Sequence, residues 1–252
     1  MYYLYNEIVF RPLYNGLVGI MDVLPGIDVG IAVIIFTVII RLILFPLSKS
    51  ALLTQVRMKE IEPEANKIKA QYSKDRQLQA AKVMELYKAK NVKPFSGVLL
   101  LIIQLPILIA LISVFYKISP EIHPELLYSF VHVPMVTLTL LGLNISGKSF
   151  ILSLITAIIQ FFQMHYSIAA RQHKEMVAKN GGVLPSDFAS KLSGSMTTQM
   201  KYMLPILAFA STYWLIPAQF PQAASIIAIY WSVSSLFTLG QELYIRKKYF
   251  KE

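Results

Sequence analysis

The stretch VIIFTVIIRLILFPLSKS, residues 33–50, decides how the chain is read. It has the apolar density of a membrane-crossing helix, yet Arg41 sits among isoleucines, leucines and a phenylalanine with no acidic residue in the run. An ionisable side chain inside a membrane segment costs roughly 2.5–3.5 kcal/mol on insertion scales. Lys49 follows eight residues later, which places Arg41 about 12 Å deeper along a continuous helix. The half-thickness of the hydrocarbon core is about 15 Å. Arg41 is therefore expected in the inner leaflet, and snorkelling covers only part of that distance.

The composition agrees with a membrane protein. Of 252 residues, 55% are hydrophobic and 15% charged, and mean hydropathy is positive. The absence of cysteine excludes disulfides, thiolate metal sites and a cysteine nucleophile. Five runs are long enough to cross a bilayer, near 29–47, 96–116, 150–168, 202–218 and 222–241. The net charge of +10 is unevenly placed. Eleven Lys and Arg lie between the first two runs, five between the third and fourth, and four in the tail, so 20 of 24 share one side. By the positive-inside rule that side is cytoplasmic, with the N-terminus outside and the C-terminus inside.

Four regions follow. Residues 1–28 are expected as an amphipathic helix on the outer surface, with Tyr5, Ile8, Val9, Pro12, Leu13 and Leu17 on its apolar face and Glu7, Arg11 and Asn15 opposite. Residues 29–49 are the first span. Residues 50–95 are rich in helix formers and break at Ser73 to Asp75, which predicts a cytoplasmic antiparallel helical hairpin kinked at Pro63. Residues 96–252 carry the other four spans, an outer loop at 120–148 with an apolar patch, and a short basic tail. The fold class expected is an all-α integral membrane protein with a five-helix core.

Polar residues inside the spans are periodic. Ser149, Ser153, Thr156, Gln160, Gln163 and Ser167 recur at spacings of four and three, one stripe of one helix. Trp231, Ser234, Thr238 and Gln241 do the same in the fifth span, while Thr37 precedes Arg41 by one turn and Gln104 lies in the second. Such stripes can be interhelical hydrogen bonding alone. Convergence on Arg41 would instead enclose a hydrated groove that keeps the cation solvated. No deep carboxylate, zinc-protease helix motif, nucleophile elbow or Ser–His pair is present, so neither catalysis nor proton coupling is expected. A small-solute or anion channel is the alternative class, although the fourth span has little polar lining.

Several stretches resemble the YidC-type membrane protein insertases. They are PEANKIKAQYSKD at 63–75, MELYKAKNVKPFSG at 84–97, LLLIIQLPILIALISVFY at 99–116, QFFQMHYS at 160–167, MKYMLPILAF at 200–209 and FPQAASIIAIYW at 220–231. The Arg41 span with its Phe-Pro-Leu exit is similar to the family's groove-bearing helix. The resemblance covers about residues 28–250 and is to the short form, without a large extracytoplasmic domain. It implies a groove open to the cytoplasm and inner leaflet, with Arg41, Gln104, Gln163 and Trp231 at its groove positions, to which the polar stripes add Thr37, Gln160 and Thr238 as candidate lining. It also implies insertion of newly made membrane proteins into a bacterial plasma membrane without nucleotide hydrolysis or cofactor, alone or with the Sec translocon. The basic hairpin and tail would meet ribosome, nascent chain or anionic lipid, and no DNA is expected as a partner. Where the family carries an asparagine after the Tyr-Trp pair, this chain has Ser234 and Ser235.

Overall fold

The computed structural model describes residues 2–92, 96–118, 122–167 and 202–249. These are predominantly helical, with one two-stranded hairpin. They divide into two compact units: residues 1–43 with 105–241, and residues 44–104 with 242–252.

The first unit begins with helix from Tyr2–Tyr5, a π-turn at Asn6–Phe10 and helix Arg11–Val23. Glu7 and Arg11 pair at 2.9 Å, as their spacing requires. The buried face differs from the one expected. It consists of Phe10, Tyr14, Leu17, Val18 and Met21, whereas Ile8 and Pro12 are exposed. The face expected was one laid on the membrane surface rather than on the protein, so the exposed Ile8 and Pro12 remain available to it while the helix buries a second side in the core. Asn15, placed on the polar face by periodicity, is buried and bonds the outer loop: its Nδ2 donates to Leu126 O at 3.0 Å and its Oδ1 accepts from Tyr128 N at 2.6 Å. The segment is thus part of the core.

Helix Val29–Ile43 packs Val29, Ala32, Val33 and Phe36 into that core with Leu111, Val114 and Phe115 of helix Ser96–Lys117 and with Ile118 just beyond it. Ile226, Ile227, Ile229 and Tyr230 of helix Ala224–Tyr249 complete it. Every residue from Ala223 to Tyr230 is buried, so this end of the last helix is central. A β-hairpin, Thr139–Leu140 with Leu143–Asn144, closes over Gly30. A Cβ on Gly30 would lie 2.7 Å from Leu140 Cβ, so only glycine admits the hairpin at that distance.

The arginine helix ends at Ile43, and a new helix, Phe45–Glu60, starts one residue later. Pro46 accounts for the break, since its ring clashes with the carbonyl four residues earlier and it donates no hydrogen bond. Arg41 consequently lies in the last turn of its helix. The partial negative charge at a helix C-terminus favours a cation there.

The second unit holds the hairpin, as helices Glu62–Gln71 and Arg76–Ala89. Pro63 sits in the first turn of Glu62–Gln71, where a missing N–H is harmless, and the chain breaks at Ile61 before it. Asp75 caps the second helix by accepting from Gln77 N and Leu78 N, each at 3.0 Å. Gln79 Nε2 donates to Lys69 O at 2.6 Å and Lys90 pairs with Glu64 at 3.0 Å, fixing the antiparallel register.

By length and composition, the described residues contain one helix able to cross a membrane alone, Pro221–Tyr249. Val29–Ile43 and Phe45–Thr54 meet the same test only when taken together, and Pro106–Lys117 and Phe150–Tyr166 are shorter apolar helices.

Candidate functional site

The stripe read from the third apolar run is a face of helix Phe150–Tyr166. Ser149 caps it by accepting from Leu152 N at 3.3 Å. Ser153, Thr156, Gln160 and Ser167 are all buried, and Gln163 is half-buried. The partner is the last helix. Thr156 Oγ1 donates to Ala228 O at 3.1 Å and shares a hydrogen bond of 2.9 Å with Ser232 Oγ. One turn further, Ser235 Oγ donates to Gln160 Oε1 at 2.7 Å. These rungs join residues 76 and 75 apart in sequence, the register of two parallel neighbouring helices. The same offset places Gln163 level with Thr238.

The seven candidates therefore divide. Thr37 is buried, and its hydroxyl donates to Val33 O at 2.6 Å within its own helix. Gln160 is buried and held by Ser235. Arg41, Gln163, Trp231 and Thr238 are half-buried, Thr238 donating to Ser234 O at 2.9 Å. The side chain of Gln104 lies outside the described residues.

Tyr230, directly before Trp231, packs its ring on Phe115 at 5.9 Å and so joins the last helix to the second apolar helix. Among the described residues no carboxylate pairs with Arg41; Glu7, Glu64, Glu85, Asp22 and Glu125 pair elsewhere. Between Trp231 and Thr238, Ser234 Oγ is buried with no hydrogen-bond partner among the described residues. Such an orphan hydroxyl costs about 1–3 kcal/mol when dry.

Sequence periodicity did not single out Ser232, which lies between two stripe positions. Its signal is the pairing itself: Ala228, Ser232 and Ser235 at spacings of four and three form a second small-residue stripe, the kind that lets helices approach closely.

The family described as 60Kd inner membrane protein matches residues 20–252. Among curated proteins, a membrane protein insertase YidC of Leptospira interrogans is 23% identical over 252 residues, covering 94% of this chain and 34% of that protein. YidC 1 of Lactococcus lactis is 27% identical over 224 residues, 87% of this chain and 69% of its own. A YidC of Clostridium tetani reaches 43% over 95 residues, 38% of this chain and 43% of its own. The chain spans about a third of the length of the Leptospira relative. With the match running across nearly the whole sequence, the chain belongs to the 60Kd inner membrane protein family.

Proposed function

We propose that the chain is a membrane protein insertase that moves newly made hydrophobic proteins from the cytoplasm into the bilayer. In this reading five spans form the core, the N-terminus is outside and the C-terminus cytoplasmic. Arg41, Gln163, Trp231 and Thr238 line a hydrated groove open to the cytoplasm, with Gln104 contributing from the second span. Thr156 and Gln160 are the closed seam that ends the groove toward the outside, and Thr37 supports the arginine turn.

The observation that carries the reading is a half-buried Arg41 with no carboxylate partner among the described residues, in an apolar helix of a membrane protein. A cation so placed is tolerable if water reaches it, and useful if an acidic segment can approach it. Opposite charges about 4 Å apart attract by about 4 kcal/mol at an effective dielectric near 20. The polar outer segment of a substrate would enter the groove toward Arg41 while its apolar helix partitions into lipid. That transfer supplies the driving force without nucleotide hydrolysis. The unpartnered hydroxyl of Ser234 supports the same reading, since water in the groove would relieve its desolvation. The basic hairpin and tail would serve ribosome, Sec translocon or anionic lipid.

Because the chain has no cysteine, single substitutions give clean probes. Cysteines at Gln163, Trp231 and Thr238 should react with a membrane-impermeant thiol reagent added from the cytoplasm, and one at the exposed Ile39 should not. Uniformly unreactive sites would reduce the polar residues to contacts in a dry bundle and remove the basis of the mechanism.

A further inference from the structure

Residues 126–147 contain no Asp, Glu, Lys or Arg in 22 positions. The stretch has the length and low charge of a span, but it folds as an irregular loop ending in the 139–144 hairpin. Four of its exposed residues are large and apolar, Phe130 at 74% exposure, Met135 at 90%, Leu141 at 78% and Leu143 at 71%, interspersed with the exposed Ser129, His132, Thr137, Asn144 and Ser146. Its inner face is apolar too, with Val131 and Ile145 buried in the core.

The backbone is meanwhile tied inward. Tyr128 N and Leu126 O bond to Asn15, and His132 N donates to Asp22 at 3.1 Å. Val29 N donates to Thr137 O at 3.1 Å, Ile145 N to Leu138 O at 3.0 Å, and the Thr139 hydroxyl to Asp28. Leu141 occupies the hairpin turn at φ 51°, beside Gly142 at φ 80°. A bulky residue in that left-handed region is an outlier where Asn or Gly would be relaxed. The turn accepts this strain while its leucine points away from the protein.

An apolar patch of this kind marks an interaction surface, and three features choose its occupant. The loop joins the end of helix Ser96–Lys117 to the start of helix Phe150–Tyr166, two apolar helices of a membrane protein, so it is held at the bilayer boundary. Hydrogen bonds already made inward reduce the backbone penalty for entering an apolar phase. The shortage of charge removes the usual means of selecting a protein partner. Tyr3, Leu4 and Ile8 near the start of the N-terminal helix are also exposed and apolar in the same unit. We propose that loop 126–147 inserts Phe130, Met135, Leu141 and Leu143 into the acyl–headgroup boundary of the bilayer, as an anchor for the N-terminal helix bonded to it. Assigning that boundary to the outer leaflet rests on the proposed topology.

The test uses the full chain in lipid vesicles, with nitroxide labels singly at Met135→Cys, Leu141→Cys and, as a polar control in the same loop, Ser146→Cys. Collision with oxygen, which concentrates in lipid, is compared with collision with a water-soluble nickel chelate. The oxygen-to-nickel ratio at 135 and 141 should exceed that at 146 by several-fold, and Phe130→Asp should lower the ratio at 135. A ratio equal to that at 146 would overturn the anchor. Low collision with both reagents would overturn it as well, by showing a protein occupant. An impermeant thiol reagent on Ser146→Cys reports the side independently. Labelling from the cytoplasm alone would reverse the leaflet while leaving the insertion result to stand or fall by itself.

Discussion

Arg41 and Gln160 show how two polar side chains in apolar helices reach opposite arrangements. Gln160 is buried and accepts from Ser235, so removing either partner strands the other. Gln160→Leu and Ser235→Ala should each destabilise the protein by about 1 kcal/mol, with a coupling of about 0.6–1.7 kcal/mol in a double-mutant cycle measured by unfolding in detergent micelles. Additive effects would mean the bond contributes nothing. Asp22 gives a second prediction at this scale. The backbone N–H of His132, followed by its ring, holds the Asp22 carboxyl below its ordinary range. A group whose folded-state pKa is depressed stabilises above the unfolded value and loses that effect as pH falls through the folded one. A spin label at Val133→Cys should therefore loosen only below the usual carboxylate range. Asp22→Asn should leave it loose at every pH. Loosening already above the usual carboxylate range would show that Asp22 does not control the contact.

At the scale of elements, what could be read from sequence depended on whether one helix or two decided the outcome. The break between the two hairpin helices near Ser73 to Asp75, the Glu7–Arg11 pair and the stripe from Ser149 to Ser167 are properties of single segments and can be read from local spacing. Which side of helix Arg11–Val23 meets the core could not be read that way, because periodicity describes one segment and not its partner. The end of the arginine helix at Ile43 was legible in Pro46, but apolarity continuing through Leu47 masked it. Ser232 and Ser235 could not be paired with Thr156 and Gln160 from sequence, since the register between two helices is a tertiary property. Gly30 belongs with these: its importance arises only once the 139–144 hairpin lies against it. Gly30→Ala must push Leu140 away and should cost about 1–3 kcal/mol of stability. Leu140→Ala should recover part of that loss in the double variant, and failure to do so would place the clash elsewhere.

For the whole molecule, the distribution of charge says more than its sum. In the proposed five-span arrangement 20 of 24 basic residues fall on one side, which the positive-inside rule makes the cytoplasmic one. Cysteines at Lys74→Cys and Lys148→Cys should label from opposite faces of a sealed membrane, and labelling from one face would remove the five-span arrangement. The central claim concerns what the arginine does within that arrangement. Vesicles containing this protein alone can be offered matched single-span substrates with acidic, neutral or basic outer segments, and the inserted fraction measured for each. Arg41→Ala should lower insertion of acidic substrates most and neutral ones least. Arg41→Lys, which keeps the charge but loses the planar fork of donors, should retain part of the activity. An equal loss for all three substrates, or no loss for any, would contradict electrostatic capture and leave Arg41 a structural residue.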